Sequence, residues 1–348
     1  MEKQETSAAE LAERELHRTS NRIAAVDIAR VLTAFVVMYE HIAHYHMAGE
    51  TGEAIKYVSN WTIGTCSPIF FLFAGYFACR NITWKKALDN AWWCFAPFAL
   101  WVGVASLVVW KCNPELWAQR SNPITLLGLD SLATGYAQNT GPINGPLWFM
   151  RDLVFLFLLS PLLYRWSRWL LPLLVLLSIV PGFSPYFEST PAQVLTLYSV
   201  GFFTLGCFLR HLSKERQQAL LRFHCTPFLT AFLALGLSMG LLGTACRAHG
   251  YCSVTELIPA LNDGAWGALP EVLDYLWSSA GSWRHWAFVE AVLAIWVLYQ
   301  TARCIEVHCP RLTKLGLKFA PVTFLTFAAH WPIYIYINTT PIRESVWL

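Results

Sequence analysis

Three ionisable residues, Asp27, Arg30 and His41, stand in the first long apolar stretch of the sequence. Arg30 and His41 are eleven positions apart, which in an α-helix makes about three turns, or about 16 Å along one face. Ionisable groups inside an apolar span are costly to desolvate, and they are usually functional. The spacing predicts a helical face with a fixed cation toward its inner end and a titratable imidazole in its outer half. The structural alternative is a buried ion pair and a hydrogen-bonded core histidine.

An imidazole can take a proton from a hydroxyl group, and it titrates close to neutral pH, which suits general-base catalysis. Asp27 and Arg30 are three positions apart, so they can pair across one helical turn, which lowers the cost of burying both. We therefore predict that His41 is the base. Arg30, paired with Asp27, would orient a substrate or stabilise developing negative charge.

A metal site is the competing interpretation of the same stretch, because Glu40, His41, His44 and His46 cluster there. The glutamate precedes both histidines, which is the wrong order for a zinc-binding HExxH motif. His46 would also point away from the face that His41 and His44 share. We therefore expect no metal.

The composition is that of a membrane protein. The chain has 348 residues, of which 55% are hydrophobic and 14% charged, whereas about a quarter of the residues of soluble domains are charged. A net charge of +3 does not indicate a nucleic-acid partner. We predict an all-α polytopic bundle of about nine or ten transmembrane helices. Nine apolar windows carry this prediction: 26–46, 62–79, 88–110, 147–164, 169–183, 194–209, 226–246, 285–302 and 321–340.

The basic residues predict the orientation of this bundle. If the spans alternate, the dense Lys/Arg clusters fall on one side, which the positive-inside rule makes cytoplasmic. The N-terminus is then cytoplasmic, with residues 1–20 as a polar tail and 21–348 as a single membrane domain. The clusters are Lys3, Arg14, Arg18 and Arg22; Arg80, Lys85 and Lys86; Arg165 and Arg168; Arg210, Lys214, Arg216 and Arg222; and Arg303, Arg311, Lys314 and Lys318.

Two further groups of residues could bind substrates. On the cytoplasmic side, Arg22, Arg80, Lys85 and Lys86 could meet a phosphorylated cofactor such as coenzyme A, although the positive-inside rule alone would place them there. On the opposite side of the membrane we predict contacts with a second substrate, the acceptor, from residues in or beside later spans. The structural alternative is that these residues only anchor a helix end or form buried ion pairs. These are Trp148, Arg151, Asp152, Glu290 and His330.

Four blocks of the sequence, in this order, resemble the membrane acyltransferase-3 family. The first has an aspartate, an arginine three positions later and a histidine after ten intervening residues, which are Asp27, Arg30 and His41. The other blocks are Ser67-Pro68-Ile69-Phe70-Phe71 through Gly75-Tyr76, Leu147-Trp148-Phe149 through Leu153 with Ser160-Pro161-Leu162, and Phe324 to Pro332.

The resemblance implies an O-acyltransferase of the bacterial inner membrane. Such an enzyme would move an acetyl or other short acyl group from cytoplasmic acyl-CoA, with acetyl-CoA the expected donor, to a hydroxyl of an extracytoplasmic or lipid-linked glycan. It also implies that Arg30 and His41 are the essential pair. A transporter or exporter of a glycan or small polar solute is the alternative, because charged residues also line substrate pathways.

Overall fold

The structure, a computed structural model, describes residues 23–46, 68–130, 141–179, 194–222, 224–231 and 284–339, and these ranges contain helices and no strand. The helices are α1 (Ala24–His46), α2 (Ile69–Ala78), α3 (Trp84–Cys112), α4 (Pro114–Arg120), α5 (Pro123–Leu126), α6 (Trp148–Ile179), α7 (Leu197–Leu209), α8 (Lys214–Leu221), α9 (Arg284–His308), α10 (Pro310–Phe319) and α11 (Thr323–Thr339). A 3₁₀ turn, Gly145–Leu147, precedes α6, and residues 225–231 are also helical. The predicted tail, residues 1–20, lies outside these ranges.

Two helical segments of the described part are long and apolar enough to cross a membrane: Trp84–Cys112 and Gly145–Ser178. The outer face of α3 is itself apolar, with Trp93 75% exposed and Trp92, Leu100 and Leu107 also exposed. A helix of a soluble protein would present polar residues there, whereas lipid accepts apolar side chains. This pattern supports contact between α3 and a bilayer.

The helix α6 corrects one prediction. We expected two spans separated near residues 165–168, but residues 148–179 are helical throughout, even across Pro161 and Pro172. Proline at 161 cannot donate a hydrogen bond to the Phe157 carbonyl four residues earlier. The Ser160 hydroxyl donates to that carbonyl instead, at 2.6 Å, so the acceptor is not left unpaired. Arg165 and Arg168 are exposed and do not interrupt the helix.

Helices α2 and α7 cross at very short range through two glycines. A Cβ atom at Gly75 would lie 2.1 Å from the Phe203 carbonyl oxygen, and one at Gly206 would lie 2.1 Å from the Leu72 carbonyl oxygen. No side chain fits at either position unless the helices move apart. Small residues of this kind allow helix backbones to approach closely in membrane proteins.

We predict that Gly75→Ala and Gly206→Ala each destabilise the protein by about 1–3 kcal/mol, the usual cost of overpacking. Gly103→Ala is the matched control, because its Cβ would meet nothing within 4 Å and alanine favours the helix. Thermal unfolding of the three purified variants in one detergent checks this. Equal stability of the Gly75, Gly206 and Gly103 variants would contradict the close crossing.

Candidate functional site

The ion pair predicted on α1 is present. Arg30 Nη1 lies 3.7 Å from Asp27 Oδ1, a separation consistent with a charged pair but longer than a good hydrogen bond. The Asp27 side chain is 12% exposed and that of Arg30 is 46% exposed. Arg30 is therefore anchored on one side by a nearly buried carboxylate, and its guanidinium remains accessible to another anion.

His41 lies in the same uninterrupted helix, Ala24–His46, as this pair. The backbone therefore retains the predicted spacing of about 16 Å along the helix axis between Arg30 and His41. The side chain of His41 lies outside the described part, as do those of His44 and His46. Among the described residues, no group of three His, Cys, Asp or Glu side chains could hold a metal ion.

A cluster of polar residues lies where α2 and α7 end, and we call this region the basic end. Arg210 Nη1 donates to Tyr76 Oη and to Gln217 Oε1, each at 3.3 Å. The Tyr76 hydroxyl in turn donates to Gln217 Oε1 at 2.8 Å, and the Arg210 guanidinium lies over the Tyr76 ring at 5.2 Å. Lys86 donates to the carbonyl of Arg80 in the same region. Cations from three separate segments thus meet at one end of the bundle.

An open pocket adjoins the basic end. Its cavity volume is small, about 50 Å³, and almost all of its lining is apolar. Tyr76 and Gln217 join it to the polar cluster, and Ile23 and Val26 contribute the first turn of α1. Arg30 is one helical turn beyond Val26, about 6 Å along the axis. The lining residues are Ile23, Val26, Leu72, Phe73, Tyr76, Leu209, Gln217 and Leu220.

The residues predicted to bind a cofactor are only part of this cluster. Arg80 and Lys85 are exposed and Lys86 is partly buried, whereas Arg22 lies outside the described residues. The sequence indicates Arg210 only as a cytoplasmic charge, and Tyr76 only as part of the second block that resembles the family. Their contact joins residues 134 positions apart, and neither local pattern nor charge count indicates such a pairing.

Aromatic rings gather at the other end of α2. The ring centroids of Phe70 and Phe149 are 5.5 Å apart, those of Phe149 and Phe327 are 5.2 Å apart, and Phe327 lies 5.4 Å from His330. Trp148 packs at 5.8 Å from Phe71. Three of the four sequence blocks therefore meet in one cluster, which brings the predicted residues Trp148 and His330 into the same region.

Arg151 and Asp152 are buried beneath this region. Arg151 is 2% exposed and Asp152 is 0% exposed. Arg151 Nε and Nη2 donate to Asp152 Oδ1 at 3.1 and 3.0 Å, and Nη1 donates to the Gly128 carbonyl at 2.6 Å. The arginine thus ties the segment after α5 to the start of α6. Gly128 has a φ of +67°, a backbone conformation that glycine adopts without strain.

Asn144 makes a second connection near the start of α6. It is 0% exposed, and its amide donates to the Ala328 carbonyl of α11 at 3.1 Å. The next residue, Gly145, faces the Trp331 ring. Glu290, another predicted acceptor contact, lies in α9, and its side chain is outside the described part.

We predict that Asp152→Ala destabilises the protein by about 3–5 kcal/mol, because it leaves a buried guanidinium without its carboxylate. The double variant Arg151→Met/Asp152→Leu should recover part of this loss. A matched control is Glu306→Ala, which breaks the partly exposed Arg303–Glu306 pair and should cost about 1 kcal/mol or less. The free energy of unfolding of all three variants is measured in the same detergent. Similar losses of stability in Asp152→Ala and Glu306→Ala would contradict a stabilising role for the buried Arg151–Asp152 pair.

Comparison with protein-family models gives a match over most of the chain. A protein-family model described as an acyltransferase domain matches residues 23–347, which is nearly the whole chain and includes all four sequence blocks. No curated protein and no solved structure matches the chain.

Proposed function

The chain belongs to the acyltransferase-3 family of acyltransferase domains, and on that premise we propose that it is an integral-membrane O-acyltransferase. It moves an acetyl or other short acyl group from cytoplasmic acyl-CoA to a hydroxyl of an extracytoplasmic or lipid-linked glycan. The family match favours acyl transfer over the transporter alternative. The observation that carries the mechanism is the Asp27–Arg30 pair, with its exposed guanidinium, on a helix that continues without a break to His41.

The basic end is the proposed donor site. Coenzyme A combines several anionic phosphates with a long, thin pantetheine arm, so its site needs cations beside a narrow channel. Arg210, Arg80 and Lys86 supply cations there, and Lys85 and Arg22 are further candidates. The adjoining apolar pocket is too small to enclose the arm that carries the thioester, but it offers that arm an apolar entrance beside α1. Because Val26 lines the pocket, a pantetheine arm that extends along α1 would pass Arg30 on its way to His41.

The transfer requires one bond to form and one to break. The acceptor hydroxyl oxygen attacks the thioester carbonyl carbon, the C–S bond breaks, and coenzyme A leaves as its thiolate. His41 takes the hydroxyl proton as general base. Arg30, oriented by Asp27, lies about 16 Å before His41 along α1 and does not reach the same carbonyl, so its proposed role is to orient the donor through an anionic or polar group of acyl-CoA. A covalent acyl-His41 intermediate is a variant of the same chemistry.

The aromatic cluster, at the end of the bundle opposite the basic end, is the proposed acceptor side. Trp148, His330 and Glu290 are the proposed contacts with the glycan, since sugars bind well to aromatic faces and to polar side chains. Arg151 and Asp152 are too buried to reach a bulky acceptor in this arrangement. We assign them a positioning role, in which Arg151 holds the Gly128 turn against α6.

The membrane location extends the same proposal. We place the protein in the bacterial inner membrane as a multi-pass protein, with its basic end and N-terminus in the cytoplasm. The two long apolar helices and the family support a membrane protein. The collection of Arg80, Lys86 and Arg210 at one end of the bundle agrees with the positive-inside rule.

The test expresses the His41→Ala variant in a strain that lacks the chromosomal copy of the gene. Mass spectrometry then measures the acylation of the surface glycans. We expect the abundance of acylated glycan to fall at least about a hundredfold, the usual loss when a general base is removed. Arg30→Gln should also reduce it. Western blotting of the membrane fraction confirms that each variant is present in normal amounts.

His44→Ala is the matched control, because it changes the same residue type one turn away on the same helix. It should leave acylation close to the wild-type level. Undiminished acylation in His41→Ala would exclude His41 as the base, and equal losses in both variants would indicate damage to the helix rather than to the chemistry.

A further inference from the structure

The exposed surface of α10 combines two stripes of different character. Leu312, Leu315 and Phe319 are exposed, with Leu312 at 51%, and Val322 continues the apolar stripe beyond the helix. The second stripe consists of Arg311, Lys314 and Lys318, each one position before a residue of the apolar stripe and all exposed. Both stripes repeat at three- and four-residue intervals, which places each on its own side of the helix.

The third side of α10 is fixed to the bundle. A Cβ atom at Gly316 would lie 3.1 Å from Ile28 Cγ1, so the helix packs closely on α1. The Thr313 hydroxyl donates to the carbonyls of Ile305 and Cys309, at 3.1 and 3.2 Å. These contacts hold the helix to the end of α9. Its orientation, with two stripes facing outward, is therefore set by packing.

The packing also places α10 near the basic end. Ile28 is two residues beyond Val26, which lines the pocket there together with Tyr76 and Gln217. The preceding helix, α9, reaches the same end: the buried Gln300 bonds to the backbone of Arg222 and His224, just after α8. The exposed face of α10 thus lies at the level where the membrane-facing part of the bundle meets its charged end.

From this arrangement we infer that the exposed face of α10 binds the headgroup layer of an anionic lipid leaflet. The leucines and Phe319 would enter the boundary between headgroups and acyl chains, as in other interfacial amphipathic helices. Arg311, Lys314 and Lys318 would pair with lipid phosphates, an attraction of the kind that anionic leaflets exert on nearby basic residues. Residues 310–322 contain no acidic residue, so no negative charge within the segment opposes this contact.

A lipid leaflet is favoured over an acidic protein as the occupant. Helix α1, on which α10 packs, belongs to a bundle that contains two membrane-length helices, so a bilayer around that bundle would already lie against α10. An apolar stripe beside a basic one fits the layered polarity of that boundary. The inference depends on the protein being embedded in a membrane, and not on its acting as an acyltransferase.

The experiment compares thermal unfolding of the purified full-length protein in nanodiscs of phosphatidylcholine alone and of phosphatidylcholine mixed with phosphatidylglycerol. We expect a higher midpoint for the wild type in the anionic nanodiscs. The variant Arg311→Gln/Lys314→Gln/Lys318→Gln should lose most of this increase, while its midpoint in phosphatidylcholine stays near that of the wild type. The charge-preserving variant Arg311→Lys/Lys314→Arg/Lys318→Arg is the matched control and should keep the increase.

Two outcomes would overturn the inference. One is a wild-type midpoint that does not depend on phosphatidylglycerol. The other is an undiminished increase in the triple glutamine variant, which would place the anionic-lipid contact elsewhere or indicate that another part of the chain covers α10. If the triple variant fails to fold, Lys314→Gln alone should lose a measurable part of the increase, and its full retention would count equally against the inference.

Discussion

The close crossing of α2 and α7 determines what the rest of the bundle can do. At Gly75 and Gly206, the backbone of each helix occupies the space where the other would need room for a side chain. The same interface brings Cys79 Sγ within 2.9 Å of Cys207 Sγ. Because the helices are so close, the residues at their ends are also forced together. Tyr76 from α2 meets Arg210 from the end of α7, and Tyr76 also lines the pocket that we assign to the donor.

The opposite end of α2 has a different character. There Phe70, Phe149 and Phe327 form a contiguous aromatic cluster, and the buried Arg151–Asp152 pair fixes a turn against α6. Charged groups meet at one end, and aromatic rings with a histidine meet at the other. Helix α1 runs from the first of these regions in the direction of the second, with Arg30 in its first half. This division suits the proposed reaction, in which an anionic donor and a glycan acceptor approach from opposite sides of a membrane.

Much of the helical framework could be predicted from sequence, because apolar runs of helix length are a strong signal. The windows at 26–46, 88–110, 194–209, 285–302 and 321–340 correspond to α1, α3, α7, α9 and α11. The Asp27–Arg30 pair was predictable too, since three positions on one helix suffice for it. The continuity of α6 was not predictable, because it depends on the Ser160 hydroxyl donating to the Phe157 carbonyl that Pro161 leaves without a backbone donor. Arg210 and Tyr76 were missed as partners, since only tertiary packing brings them together, and the deep burial of Arg151 has the same origin.

The central claim is that the basic end binds the donor, and equilibrium binding of acetyl-CoA to the purified protein tests it most directly. Arg210→Gln should raise Kd about tenfold or more, as expected for the loss of a hydrogen bond from a charged group. Lys111→Gln, at the far end of α3, should leave Kd unchanged, and equal thermal stability of the two variants excludes misfolding. An unaltered Kd in Arg210→Gln, or the same increase in Lys111→Gln, would contradict the account.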